Sequence, residues 1–210
     1  MSAAPTAAPP RLVFRMVGTW WRIDLSSPEA VAASTREMAT GVLGRADERA
    51  TARARLREEF TRAATAAREA DAQLLMIQTE LGPGQPMSAT LTVFEDERMR
   101  MSPALGTGTD AVLSVFEKSL PLMDAAGAST AVRRRCLDSE VVRAHRIEET
   151  VEIEDGERYT QRRLVAQYWY PVPGTKRLLT AVFSTPLGDI PHTLLSYFDA
   201  IVAASAFQDA

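Results

Sequence analysis

Two stretches near the carboxyl end of the chain constrain its fold more than any other feature. Leu164–Tyr170 and Leu178–Phe183 carry apolar side chains at both odd and even positions. Successive side chains of a β-strand point to opposite faces, so both faces of these stretches are expected to be buried. Such strands lie in the middle of a sheet that is covered on both sides. The sequence therefore predicts central strands with helices packed on each face.

The order of the remaining elements predicts how that sheet is connected. Two strands, two helices, two strands, one helix, four strands and one helix follow one another, over residues 11–17, 20–25, 28–44, 46–72, 73–81, 87–95, 110–119, 130–137, 141–154, 157–171, 176–185 and 191–207. Strands that follow one another directly favour antiparallel hairpins. We therefore expect an α+β fold in which helices cover both faces of an antiparallel sheet, an α/β/α sandwich.

The chain has 210 residues without an internal repeat or a dividing linker, which predicts one domain over residues 11–210. Residues 1–10 are mostly Ala and Pro and are expected to form a flexible tail. This tail lacks the basic and apolar regions of a secretory signal. No run of about 18 apolar residues occurs, so neither a membrane span nor a membrane partner is expected, and the expected location is the cytoplasm.

The dipeptide Asp155-Gly156 predicts a two-residue hairpin turn, because Asp followed by Gly is a favoured pair at the two central positions of such turns. The turn fixes which residues of the two long strands lie opposite each other. The predicted pairs are Glu154 with Glu157, Glu149 with Arg162, Glu148 with Arg163, Ile147 with Leu164 and His145 with Ala166.

Overall charge and the counts of reactive residues exclude several classes of function. The net charge is −3 and the isoelectric point is about 5.5, which argues against nucleic-acid binding. One cysteine cannot form an internal disulfide, and two histidines cannot build a His-rich metal site. We therefore expect no metal and no cofactor.

Cys136, Asp138 and His145 are the residues that most resemble a nucleophile, an acid and a base. A catalytic cysteine needs a thiolate held by a nearby base, and no oxyanion-forming loop adjoins Cys136. The favoured interpretation is a small buried thiol beside a strand histidine. We expect no catalytic residues.

Three further motifs suggest a ligand but are better explained as structural features. The segment 106–110, Gly-Thr-Gly-Thr-Asp, precedes a helix but lacks the Lys-Ser/Thr ending of a phosphate loop, so Thr109 is expected to cap that helix. The acidic residues of 148–157 point to both faces of a strand and predict a solvated hairpin tip. The basic run Arg133–Arg135 is expected to pair with that acidic hairpin.

Trp20 and Trp169 are the candidate partner-binding residues. Trp20 is followed by Trp21 in a strand, so the two rings must point to opposite faces. Trp169 likewise alternates with Tyr168 and Tyr170. Tryptophan is a frequent anchor at protein interfaces, and an exposed ring is costly to leave in water. We expect Trp20, and secondarily Trp169, to anchor a partner helix or peptide laid on the sheet.

Several framework motifs resemble those of a group of uncharacterised actinobacterial proteins. They are residues 18–25, Gly-Thr-Trp-Trp-Arg-Ile-Asp-Leu, residues 168–174, Tyr-Trp-Tyr-Pro-Val-Pro-Gly, residues 178–185, and Phe198-Asp-Ala-Ile201 in the last helix. The element order resembles the PsbP-like fold, which is shared with DcrB-type proteins. The resemblance covers residues 11–207. It implies a binding or assembly module, and for DcrB-like members a chaperone of secreted effectors.

The expected function is therefore a non-catalytic protein-interaction module, such as an adaptor, assembly factor or effector chaperone. Its partner would be another protein or a peptide, with a secreted effector as one candidate. Two alternatives stay open. The chain could carry a small apolar ligand between sheet and helices. It could also be a hydrolase or transferase that uses the open face of its sheet.

Overall fold

The computed structural model describes residues 10–95, 106–123, 127–154 and 157–208. Nine β-strands lie within these ranges: β1 (Arg11–Val13), β2 (Thr19–Ile23), β3 (Leu74–Gly82), β4 (Gln85–Glu95), β5 (Val132–Arg135), β6 (Glu140–Glu154), β7 (Glu157–Pro171), β8 (Leu178–Thr185) and β9 (Ala206–Gln208). The same ranges hold four α-helices: α1 (Pro28–Leu43), α2 (Ala50–Glu69), α3 (Thr109–Ser119) and α4 (Pro191–Ala203). None of the described helices is long and apolar enough to cross a membrane.

Seven of the strands form one antiparallel sheet in the order β2-β3-β4-β8-β7-β6-β5. The α+β class and the antiparallel sheet predicted from the sequence are confirmed. Strands β7 and β8 are neighbours in the middle of the sheet, as their two apolar faces predicted. The buried residues of both strands include Leu164, Tyr168, Trp169, Leu178 and Phe183.

Alternate residues of β7 belong to different hydrophobic clusters. Tyr168 and Tyr170 pack in a cluster with Phe198 and other residues of α4. Trp169 packs in a second cluster, where its ring centroid lies 5.0 Å from that of Phe116 in α3. A third cluster joins β3 to α1 and α2 through Leu75, Ile77, Met38 and Ala64.

The register predicted from Asp155-Gly156 is confirmed. Glu154 lies opposite Glu157, Glu149 opposite Arg162, Glu148 opposite Arg163, Ile147 opposite Leu164 and His145 opposite Ala166. The turn residues themselves lie outside the described residues. Arg162 Nε donates to Glu149 Oε1 at 3.1 Å, whereas Glu148 pairs with Arg146 on its own strand at 2.6 Å.

The chain termini differ from the sequence-based prediction. The last helix was expected to reach residue 207, but α4 ends at Ala203 and β9 pairs with β1 in a separate two-stranded sheet. Ser205 is buried, and its hydroxyl donates to the Val202 carbonyl at 2.6 Å and bonds with the Tyr170 hydroxyl at 3.1 Å. Asp138 Oδ2 accepts the backbone N–H of Phe207 at 3.1 Å. The contacts with Tyr170 and Asp138, which lie far away in the sequence, hold the chain beyond Ala203 in an extended conformation.

Helix α2 buries less of its surface than the sequence predicts. Leu56, Phe60, Ala63, Ala67 and Ala70 recur at intervals of three and four residues, which predicts one apolar face toward the sheet, but only Ala64 and Ala67 of the helix are buried. The helix packs against α1, where the hydroxyls of Thr35 and Thr61 lie 3.0 Å apart. Most of α2 therefore remains accessible.

Candidate functional site

A groove of about 780 Å³ separates α2 from the sheet. Arg55, Phe60 and Arg62 belong to its helical wall, and Thr90, Arg163 and Ser184 belong to its sheet side. Thr90 in β4 and Ser184 in β8 lie directly opposite each other.

The composition of the sheet explains why this strip is left open. Buried apolar side chains lie under α1 and α2 at one end, at Leu75 and Ile77, and under α3 at the other end, at Trp169. Between them Thr90, Gln161 and Ser184 are only half-buried. Hydroxyl and amide groups tolerate water that apolar side chains would avoid. The sequence therefore gives the helices a mostly polar surface to close over at this point.

The groove offers hydrogen-bonding and charged groups that the protein itself does not use. Within the described part of the chain, Arg62 and Arg163 form no ion pair and no side-chain hydrogen bond. Glu58 and Arg62 are four residues apart in α2, a spacing that favours an ion pair, but they form none in the described part of the chain. Such a surface can bind an extended polypeptide. Its hydroxyl and amide groups can form hydrogen bonds with the polypeptide backbone, and its charged groups can pair with opposite charges on the polypeptide.

A second polar cluster lies on the α4 side of the sheet and was not predicted. Asp199 of α4 accepts from Arg134 Nε at 2.9 Å, from Arg143 Nη1 at 2.7 Å and from the Tyr168 hydroxyl at 2.8 Å. Burial, and then the Asp199 carboxylate, raise the pKa of Tyr168 far above its usual range. This hydroxyl stays protonated and donates to Asp199, so the cluster fastens α4 to the sheet. No sequence signal joins these residues, because they lie on separate elements.

The structure does not bring Cys136 and His145 together in any described contact. The Cys136 thiol donates to the Ser139 carbonyl at 3.2 Å, and burial and then Asp138 raise its pKa. Burial, followed by Arg143 and His192, lowers the pKa of His145. Both shifts disfavour the thiolate–imidazolium pair on which a catalytic cysteine depends.

The glycine-containing segment 106–110 and the basic run Arg133–Arg135 form contacts within the protein itself. Gly108, not Thr109, is the N-cap of α3, so the predicted cap is wrong by one residue. Arg133 pairs with Asp110 at 2.6 Å, Glu117 at 2.8 Å and Glu140 at 2.9 Å, not with the acidic hairpin. The predicted partner of the basic run is therefore wrong, because β5 lies beside α3 and α4. Among the described residues, no group of three or more His, Cys, Asp or Glu side chains is arranged to hold a metal.

The two candidate tryptophans differ in their accessibility. Trp169 is 2 % exposed beneath α3, so its ring is unavailable to a partner in this structure and the prediction of an anchor there is wrong. Trp20 is half-buried, and its indole N–H donates to the Val17 carbonyl at 2.8 Å. The Tyr197 hydroxyl donates to the same carbonyl at 2.8 Å. Trp20 therefore has a structural contact of its own and keeps part of its ring accessible.

Comparison of the chain with protein-family models, with curated proteins and with solved structures gives no match.

Proposed function

We propose that this chain is a non-catalytic protein-interaction module, with the groove between α2 and the sheet as its partner-binding surface. The observation that carries the proposal is the groove itself: an open, polar strip of sheet beneath a helix that buries only Ala64 and Ala67. A PsbP-like α/β/α sandwich is the arrangement we propose for the whole fold. The resemblance to PsbP-like and DcrB-like binding modules supports the same function by analogy.

The groove favours a polypeptide over the two alternative occupants. An apolar ligand requires a largely apolar, enclosed pocket, whereas Thr90, Ser184 and Gln161 present hydroxyl and amide groups here. A hydrolase or transferase would need a nucleophile activated by a nearby base. The groups that line the groove instead suit an extended segment of another protein, such as an effector held before secretion.

Trp20 is a second proposed contact for the partner. It lies on β2, which is an edge strand of the seven-stranded sheet. Edge strands present unpaired backbone groups that another chain can use. The accessible part of the indole ring beside such an edge would add apolar contact area to a partner bound there.

Site-specific photo-crosslinking in the native cell tests the proposal directly. A photoreactive amino acid at Ser184 places the probe on the sheet side of the groove, and the same residue at Ser129, which is exposed on a different segment, is the matched control. We expect a discrete crosslinked protein from position 184 that position 129 does not give. Mass spectrometry would identify it.

Arg163→Glu in the crosslinking chain supplies the specificity control. This variant reverses the charge of an exposed side chain in the groove and breaks no described ion pair, but it places a second carboxylate opposite Glu148. We expect it to reduce the adduct from position 184 several-fold, while the thermal midpoint falls by only a few degrees, because like charges on opposite residues cost at most about 1 kcal/mol. Identical adducts from positions 184 and 129, or an adduct unaffected by Arg163→Glu, would contradict a groove-specific interaction.

A further inference from the structure

A smaller cleft of about 130 Å³ lies between α1 and the first turns of α2, away from the sheet. Three arginines line it, namely Arg36 of α1 and Arg53 and Arg57 of α2. The remaining lining residues are three alanines and Thr40, so the cleft contains no carboxylate.

The spacing of these residues along the two helices places them on the faces that line the cleft. Arg36 and Thr40 are four residues apart in α1, and Arg53 and Arg57 are four residues apart in α2. Residues four apart lie on the same face of a helix, so each helix turns one such face to the cleft. The alanine side chains are short, so they leave space in the cleft between the longer arginine side chains.

Arg53 is held in position by the connection between the two helices. Its Nη1 donates to the Gly44 carbonyl at 3.0 Å and to the Ala46 carbonyl at 2.7 Å. A guanidinium has five N–H donors, and Nη1 accounts for two of them. The described hydrogen bonds therefore leave three donors of Arg53 available to a ligand.

Several other arginines of the described chain are paired with carboxylates, whereas the cleft gathers three arginines without one. Arg133, Arg134, Arg143, Arg146 and Arg162 each form an ion pair with at least one carboxylate. In the described part of the chain, Arg36 and Arg57 form neither an ion pair nor a side-chain hydrogen bond. Arg36 and Arg57 are exposed and Arg53 is half-buried, so water screens part of the repulsion among the three charges, and an anion bound in the cleft would offset the remainder.

We propose that this cleft binds a phosphate group. Guanidinium groups form paired, charge-assisted hydrogen bonds with phosphate oxygens, and a doubly charged tetrahedral anion can accept from three arginines at once. A carboxylate has a single charge and two oxygens, so it would leave part of this donor set unused. The ligand class is inorganic phosphate or a phosphate monoester.

Titration with inorganic phosphate, at ionic strength matched with sodium chloride, tests the proposal. Nitrogen-15 NMR of the full chain would follow the arginine Nε–H signals. We expect saturable shifts of Arg36, Arg53 and Arg57 with a dissociation constant in the millimolar range or tighter. The Arg36→Gln/Arg57→Gln variant should weaken binding about tenfold or more, since two charge-assisted contacts are lost.

The matched control is Arg11→Gln/Arg135→Gln, which removes the same charge from two exposed residues elsewhere. It should bind phosphate within about twofold of the parent chain, because distant sites act independently. Equal weakening of both double variants would overturn the site and leave only a general charge effect. Shifts that fail to saturate in the parent chain would overturn it as well.

Two further probes distinguish the sources of the phosphate group. One is phenyl phosphate, a soluble monoester, and the other is phosphatidylcholine vesicles that contain phosphatidic acid. Sedimentation with the vesicles that requires Arg36 and Arg57 supports the site and assigns a lipid headgroup. Binding of phenyl phosphate alone supports it and assigns a soluble ligand. Failure of both probes to bind would overturn the monoester assignment.

Discussion

Gly41 sets how closely α1 approaches β2. Glycine is a poor helix former, and two glycines predict that this helix ends near them, but α1 continues through Gly41 to Leu43 and only Gly44 is its C-cap. A Cβ at position 41 would lie 2.4 Å from Cη2 of Trp21. The indole N–H of Trp21 donates to Thr79 Oγ1 at 3.2 Å, which holds the ring in place. Gly41 is therefore needed for packing rather than for a turn.

Gly41→Ala is expected to destabilise the chain although alanine is the better helix former. Helix propensity alone would favour the change by about 0.5–1 kcal/mol. The added methyl must displace the Trp21 ring, and overpacking of this kind costs about 1–3 kcal/mol. We expect a net loss of about 1 kcal/mol, measured by urea denaturation.

A second substitution separates these two effects. Trp21→Leu removes the ring that the new methyl would meet, so Gly41→Ala should be neutral or stabilising in that background. A similar loss in both backgrounds would show that the contact with Trp21 is not the cause.

At the scale of elements, α4 is fastened to the sheet by one carboxylate. Asp199 accepts from Arg134, Arg143 and Tyr168, which come from β5, β6 and β7. The Arg143 side chain is 9 % exposed, so its charge is compensated inside the protein. Removing one partner of a buried ion pair leaves the other uncompensated.

Asp199→Asn should therefore cost about 3 kcal/mol or more in the free energy of unfolding. The matched control is Asp110→Asn, because the Asp110 side chain is 80 % exposed and Arg133 retains Glu117 and Glu140. That variant should cost less than about 1 kcal/mol. Urea denaturation of both proteins measures the difference, and equal losses would show that Asp199 contributes no more than a surface ion pair.

At the scale of the whole molecule, His145 links stability to pH. Burial, Arg143 and His192 lower its pKa from the ordinary value of 6.5, and Asp199 offsets this in part. The unfolded chain therefore binds a proton more readily than the folded one as pH falls through 6.5. The contribution of His145 to the free energy of unfolding is fully present above that pH and is lost as the pH falls below it.

We expect the urea midpoint to fall between about pH 7.5 and pH 5, before most carboxylates titrate. His145→Gln should flatten this dependence, whereas His192→Gln, on an exposed side chain, should keep most of it. A midpoint that is constant or rises on acidification would contradict the assigned direction.

The parts of the fold that depend on local patterns were predictable. Alternation and two-sided apolarity placed β7 and β8 at the centre of the sheet, and Asp155-Gly156 set the register from His145 to Ala166. The candidate site was not predictable from the same signals. The groove depends on α2 packing against α1 and β3 while leaving β4, β7 and β8 uncovered, and its alanine-rich stripe does not distinguish these surfaces.

The sequence by itself determined the α+β class, the antiparallel sheet and the register of β6 with β7. These features depend on the spacing of apolar residues, on the residues of the turn and on charge pairs across a hairpin, all of which act between residues that are close in the sequence. Only the tertiary structure decided the pairing of β1 with β9, the Asp199 cluster and the arginine cleft. In each of these features the contacting groups come from separate elements. The same helices and strands could pack together in several arrangements without changing their hydrophobic patterns, so the patterns do not select one arrangement. The burial of Trp169 and the accessibility of α2 follow from the packing that the whole chain adopts.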